Sequence, residues 1–243
     1  MAAVPYKNSG RSKKAQVEEM FDSISHRYDF LNHLLSLNID KVWRKKAIKL
    51  LKPFQPKTIL DIATGTGDFA IAAKRLNPEK VVGVDLSEGM LEKGREKLKR
   101  KGLDPLIQLQ KGDSENLPFE DDSFDAAIVA FGVRNFENLE KGLAEINRVL
   151  KPGGVFIVLE FSQPRKAPFK QLYFFYFDRI LPLLGRAVSK DNRAYTYLPE
   201  SVREFPDGDS FISFLEKSDF DKCRWLPQTF GIASIYEAQK PES

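Results

Sequence analysis

Apolar positions along the 243-residue chain recur with two periods, and the alternation between them predicts the fold. Val17, Met20, Phe21 and Ile24 stand at i, i+3, i+4 and i+7, a helical stripe that Tyr28, Leu31, Leu34 and Leu35 prolong. Val42 to Leu51 predicts a second helix, stopped by Pro53 and Pro56. Thr58 to Ile62 is then a short β-branched, apolar run that reads as a buried strand, and the small residues after it end that strand in a tight turn. Asp68 to Leu76 returns to good helix formers. The exchange repeats with a strand at Val81–Val84, a helix from a Ser87 cap through Arg100 to Gly102, and a strand at Ile107–Gln110. Phe124 to Phe131 is apolar on both faces, as a central parallel strand should be. A helix over Leu139–Leu150, a turn at Lys151-Pro152-Gly153-Gly154 and a strand over Val155–Phe161 follow. Such alternation predicts a mostly parallel, doubly wound α/β sheet. A helix from Ser210 and the runs Cys223–Leu226 and Ile232–Ala238 complete it to seven strands, ending in an antiparallel hairpin.

The same pattern divides the chain. Residues 1–14 carry Lys7, Arg11, Lys13 and Lys14 with no acid and read as a frayed basic tail. Residues 15–56 form a helical segment ahead of the sheet, placed to pack on the core or to close over a ligand as a lid. Residues 57–243 form the main domain. Within it, 163–205 breaks the rhythm: the run from Leu172 to Phe177 is flanked by Arg165, Lys166, Lys170, Arg179, Arg186, Lys190 and Arg193 against Asp178 and Asp191. An aromatic helix edged with bases suits a lipid headgroup layer or a pocket for an apolar substrate, and equally a helix on the sheet edge with a solvated face.

Composition narrows the partners. A hydrophobic content of 42% and a charged content of 30% are globular values, and a net charge of +4 with no RNA-binding signature argues against nucleic acid. Cys223 is the single cysteine, which excludes an internal disulfide and makes a reducing, cytoplasmic setting the expectation. Two histidines and one cysteine do not build a typical metal site. The segment from Met1 to Lys14 has no apolar stretch of a signal peptide, and no run reaches the length of a spanning helix.

Candidate chemistry gathers at strand ends. Gly65 and Gly67 sit between a strand and a helix start, where backbone can approach a nucleotide-like ligand. Asp85 follows the second strand at the distance where a carboxylate accepts from both ribose hydroxyls. Asp61, ending the first strand, would repel a phosphate and instead suits a ligand with a cationic end; S-adenosylmethionine, a sulfonium with an amino-acid tail, meets that demand. Asp113 and Ser114, after the third strand, are placed to hold the exocyclic amine of adenine. The plainer reading makes all of these ordinary turn residues of an α/β domain.

Several motifs carry a family likeness. Phe131-Gly132-Val133-Arg134-Asn135, Leu150-Lys151-Pro152-Gly153-Gly154, Leu159-Glu160-Phe161-Ser162-Gln163-Pro164 and Thr229-Phe230-Gly231-Ile232-Ala233 resemble the class I S-adenosylmethionine-dependent methyltransferases, and among them the quinone-biosynthesis C-methyltransferases. The likeness runs from about Val17 to Tyr236 and includes Tyr28-Asp29-x-x-Asn32 and Trp43-Arg44-Lys45. It implies a Rossmann-like fold, cofactor contacts at Thr66, Asp85, Asp113 and Ser114, and a loop shaped by Asp61, Gly65 and Gly67. It also implies methyl transfer to the ring of a prenylated demethylnaphthoquinol, with a benzoquinol or another hydrophobic acceptor as the alternative and a non-catalytic cofactor-binding scaffold as the rival. Arg134 then supplies a cation for the ring oxyanion, and Asn135 orients a water or the second oxygen. His26 and His33 are the candidate bases, and Tyr28, Asp29 and Asn32 help to close the lid. Two positions depart from the pattern: Ala130 lacks the hydroxyl often found there, and Ala63 replaces the first loop glycine. Contact with a membrane surface and a homodimer are further expectations.

Overall fold

Five strands run parallel: β1 (Thr58–Ile62), β2 (Lys80–Asp85), β3 (Ile107–Lys111), β4 (Phe124–Ala130) and β5 (Leu150–Phe161). In the computed structural model, which describes residues 3–7, 9–27, 38–176, 179 and 193–242, two more strands close the sheet. They are β6 (Asp221–Gln228) and β7 (Ala233–Gln239), a hairpin in which β7 lies antiparallel between β5 and β6. The order is β3-β2-β1-β4-β5-β7-β6. The chain thus leaves β1 in one direction and returns to its other side with β4, which makes the carboxyl ends of β1 and β4 the switch point where such sheets bind ligands.

The described helices are α1 (Lys13–Ile24), α2 (Ile39–Leu50), α3 (Asp68–Ala73), α4 (Glu88–Lys101), α5 (Leu139–Val149), α6 (Phe169–Phe175), α7 (Arg193–Glu204) and α8 (Asp209–Lys217). Alternate residues of each central strand feed opposite faces. Ile59, Val81, Ala126, Ile128 and Ile157 pack with Trp43 and Ala47 of α2, Phe69 of α3 and Leu91 and Leu98 of α4. Leu60, Val82, Ala127, Val129 and Phe156 pack with Leu143 and Ile146 of α5 and Phe211 and Leu215 of α8. Burying each of the larger of these side chains contributes about 1.5–3 kcal/mol, so both faces must be covered and the strands are apolar throughout.

Three boundaries differ from the reading of the chain. The Lys151-Pro152-Gly153-Gly154 turn lies inside β5, because Gly153 N–H donates to Lys240 O (3.0 Å) and Gly154 O accepts from Lys240 N–H (2.9 Å), which carries the ladder across it. Phe131 leaves β4 with a positive φ of 59°, although its N–H still reaches Leu159 O at 2.7 Å. Residues 3–7, expected to fray, are packed: Ala3 is buried with Val17, Met20 and Tyr197, and Tyr6 N–H donates to Gln16 Oε1 at 2.7 Å. Tyr28, Asp29, Asn32 and His33 lie outside the described residues, as do Asp178, Arg186, Lys190 and Asp191. Among the described residues no helix is long and apolar enough to cross a membrane.

Candidate active site

The carboxyl ends of β1, β2 and β4 open into a cleft lined by Ala63, Gly65, Asp85, Asp113, Phe131 and Asn135 among others. Its base follows from the β1–α3 turn. Ala63, Gly65 and Gly67 all take positive φ (51°, 56° and 81°), and that sequence of left-handed residues reverses the chain within five positions. The turn packs closely on the corner after β4, where a Cβ on Gly132 would stand 2.5 Å from the Ala63 Cβ.

Asp61 holds the turn from beneath. Its Oδ2 accepts from Thr64 Oγ1 (2.6 Å) and Ala70 N–H (2.9 Å), while Oδ1 is buried without a hydrogen-bond partner. Burial pushes its carboxyl up to about 7; the Thr64 and Ala70 bonds and the charge of Arg44 oppose that rise, and Asp85 adds to it. Asp85 forms part of the cleft wall, Oδ2 accepting from Gly65 N–H (2.8 Å) and Oδ1 from Ser87 N–H (2.9 Å). Burial raises its carboxyl too, against those backbone donors. A carboxylate with both oxygens fixed by backbone presents its remaining lone pairs in set directions, as recognition of a diol requires.

The far wall is Asp113 and Ser114, and α1 roofs the cleft with Lys14, Val17, Glu18 and Phe21. Three polar ties hold this roof. Asp22 Oδ1 accepts from Ser87 Oγ (2.5 Å) and Gly89 N–H (3.0 Å), placing an anion at the start of α4, where the helix dipole favours it. Lys14 Nζ reaches Asp113 Oδ2 (2.6 Å) and Glu115 (3.3 Å), and Lys111 Nζ reaches Glu18 Oε1 (2.7 Å). The Lys14 ammonium therefore sits on the carboxylate expected to read adenine.

Arg134 and Asn135 occupy different places. Asn135 faces the cleft, its Oδ1 accepting from Tyr197 OH at 3.0 Å. Arg134 lies behind the wall: Nη1 donates to Glu160 Oε1 (2.7 Å) and to Phe131 O, and the guanidinium stands 5.5 Å from the Phe161 ring centre. Glu160 is fully buried; burial raises its carboxyl and the arginine charge holds it down. Of the other expected contacts, Thr66 is buried and its Oγ1 accepts from Lys97 Nζ at 2.8 Å, and Gly67 caps α3; neither lines the cleft. His26 is exposed and also stands off the cleft. Glu160, Tyr197, Asp22 and Lys14 escaped the sequence reasoning. Glu160 alone left a signal, a carboxylate at the end of an otherwise apolar strand, which demands a cation nearby.

The cleft thus combines fixed carboxylates, a buried acceptor below them and an amide beside a cation, suited to a nucleoside with a positively charged tail. Comparisons with known proteins agree. The model described as the ubiE/COQ5 methyltransferase family matches residues 9–240. A demethylmenaquinone methyltransferase of Bacteroides fragilis is 49% identical over 237 residues, covering 97% of this chain and 96% of the relative. A Geobacter sulfurreducens protein named ubiquinone/menaquinone biosynthesis C-methyltransferase is 44% identical over 230 residues, covering 94% of this chain and 90% of its own. A solved structure from Thermotoga maritima, an S-adenosylmethionine-dependent methyltransferase described as a possible histamine N-methyltransferase, shares the fold. It matches with a TM-score of 0.65 and 21% identity over 92% of this chain and 99% of its own.

Proposed function

Because the chain belongs to the ubiE/COQ5 methyltransferase family, we propose that it methylates a ring carbon of a prenylated demethylnaphthoquinol, giving menaquinol and S-adenosylhomocysteine. The protein is a methyltransferase of the Rossmann-like class I fold with S-adenosylmethionine as cofactor. The observation that carries the proposed acceptor reaction is the Arg134-Asn135 corner beside the cleft, where Tyr197 fixes the amide and Glu160 fixes the cation.

S-adenosylmethionine supplies an electrophilic methyl group on a sulfonium. Asp85 would hold the ribose through its free lone pairs, and Asp113, now paired with Lys14, would with Ser114 hold the adenine amine. Residues placed in this way would fix the donor against the acceptor, beside the corner where the Ala63 and Gly132 backbones approach closely. On the acceptor side the ring carbon becomes nucleophilic as its hydroxyl proton leaves. Asn135, with its Oδ1 engaged by Tyr197, offers an N–H to the developing oxyanion or to the water that takes the proton. Arg134 adds positive potential from behind, and its charge keeps it from acting as the base. A carbon–carbon bond forms as the carbon–sulfur bond breaks, and the ring carbon then gives up its own proton to restore aromaticity while the ring oxygen takes one back, so that a single proton is released overall.

Turnover with labelled S-adenosylmethionine on demethylated naphthoquinol and benzoquinol acceptors tests this reading. Methylation of the naphthoquinol is expected; transfer to the benzoquinol alone assigns the alternative ring, and binding of the cofactor without transfer to either leaves only the scaffold.

A surface contact goes with a prenylated substrate. Leu172 and Phe175 of α6 are each 60% exposed, and Phe230, 67% exposed, stacks on Phe169 at 3.7 Å. Arg165, Lys166 and Lys170 are exposed nearby in the chain. An apolar patch edged by bases fits an anionic bilayer surface. Cosedimentation with anionic vesicles at low salt should pull the protein down, with a clear loss for Leu172→Ser/Phe175→Ser; protein left in the supernatant removes the membrane contact.

A further inference from the structure

Two opposite charges beside the β1 turn are each only half satisfied. Asp61 is 1% exposed, and its Oδ1 has no partner. Arg44, on α2, is 8% exposed, and its Nε–H has none either. Both departures are unusual, because a buried charged atom left without a hydrogen bond forfeits its hydration for nothing in return.

The position of Arg44 shows what the gap is for. Asp40, one turn back on the same helix, pairs with Nη1 and so fixes the plane and direction of the guanidinium. One edge of the fork is held, and the edge that includes Nε is left over. The guanidinium carbon lies 5.7 Å from the ring centre of Phe131, and Phe131 lines the cleft together with Ala63 and Gly132. Arg44 is also close enough to Asp61 to stabilise its charged form. Neither group lines the cleft itself, but each adjoins a residue that does: Arg44 stands by Phe131, and Asp61 precedes Ala63 by two positions at the β1 turn.

The cofactor carries a matching pair of charges. The methionine tail of S-adenosylmethionine ends in an ammonium and a carboxylate on one carbon, and a planar guanidinium edge binds a carboxylate through two parallel hydrogen bonds. We propose that Arg44 is the residue that binds the tail carboxylate, through the edge that Asp40 leaves open, while Asp61 Oδ1 accepts from the ammonium. Lysine would supply the charge without the fork, so Arg44 sets the geometry of the tail and, through it, the position of the sulfonium.

The inference takes the cofactor as given and adds the residue that reads its tail. A ligand pair isolates that contact: S-adenosylmethionine against decarboxylated S-adenosylmethionine, which keeps adenosine, sulfonium and ammonium but lacks the carboxylate. In calorimetric titrations of the wild type the intact cofactor should bind about tenfold tighter or more than the decarboxylated one. Arg44→Gln should bring the ratio to within about threefold of unity while the affinity for the decarboxylated compound barely moves, and Arg44→Lys should fall between. Should Arg44→Gln fail to fold because the buried Asp40 loses its ion pair with Arg44, D40N/R44Q is read by the same ratio. A wild-type ratio near one, or a ratio that survives either neutral variant, overturns the assignment and leaves the open edge to a buried water. A wild type that binds neither compound strikes at the cofactor itself, not at Arg44.

Discussion

Arg134→Ala is expected to lower kcat by about 10²–10³-fold while cofactor affinity changes by less than about threefold, because the residue acts only on charge that develops in the acceptor. Arg134 sits behind the wall that Asn135 presents, so its effect on the ring oxyanion is one of potential and of holding the Phe131-Gly132 corner through Phe131 O. The same substitution removes the cation that pairs with Glu160, whose side chain is 0% exposed. Leaving that carboxylate alone in the core should cost about 3–5 kcal/mol of stability. The sign with pH follows from the direction of the shift. Burial already raises Glu160, and loss of Arg134, which opposes that rise, raises it further. A carboxyl whose folded pKa lies above its unfolded one binds its proton more tightly when folded, so the variant loses stability as the pH rises through that window and recovers it on acidification. Denaturation of Arg134→Ala in mild acid and at neutral pH measures this, and R134A/E160Q should recover most of the lost stability without recovering turnover. If kcat/KM and cofactor affinity fell by equal factors, Arg134 would be a cofactor residue; if the double variant regained activity, the pair would be purely structural.

Asp61→Asn should stabilise the ligand-free protein and weaken its grip on the cofactor. Asp61 titrates at about 7 in the fold against 3.8 ordinarily, with burial as the main cause. The stability associated with its protonated form is fully present below the unfolded value and is lost as the pH rises toward 7. Asparagine does not titrate, and its amide oxygen can still accept from Thr64 and Ala70. The advantage of the variant therefore grows across that window and levels off above it, with a ceiling of about 4 kcal/mol set by a shift of about three units. Loss of the counter-charge to the tail ammonium should meanwhile cost about 1.5–3 kcal/mol of cofactor binding, the worth of a charged hydrogen bond. Urea titrations near pH 5 and pH 8, paired with calorimetry, check both halves. A stability difference independent of pH would show that the Asp61 carboxyl is not raised.

Much of the scaffold was legible because it rests on local rules. Thr58–Ile62 and the alternation of strands and helices follow from apolar period, and the Ser87 cap and the Gly102 stop appear where read, with Ser87 Oγ accepting from Met90 N–H and Gly102 at a φ of 61°. The places of Asp85 and Asp113 on the cleft wall were legible because a strand end next to a turn is a position that sequence spacing reaches directly. Thr66 shows the limit of that method. Its place in the loop was readable, yet its hydroxyl turns to Lys97, 31 residues further on, a partner no spacing rule predicts.

The sequence by itself determined the sheet, the turn that bends at Gly65 and Gly67, and the family, since each depends on the residue types of a short segment and on how they pack. Only the tertiary structure decided which charges meet. Lys14 lies 99 residues from Asp113, Glu160 26 from Arg134, and Tyr197 62 from Asn135, and each pair joins a strand end to an element arriving from elsewhere in the chain. A buried ion or amide is held by whatever the fold delivers within about 3 Å of it, and that distance is set by the packing of layers, not by separation along the chain.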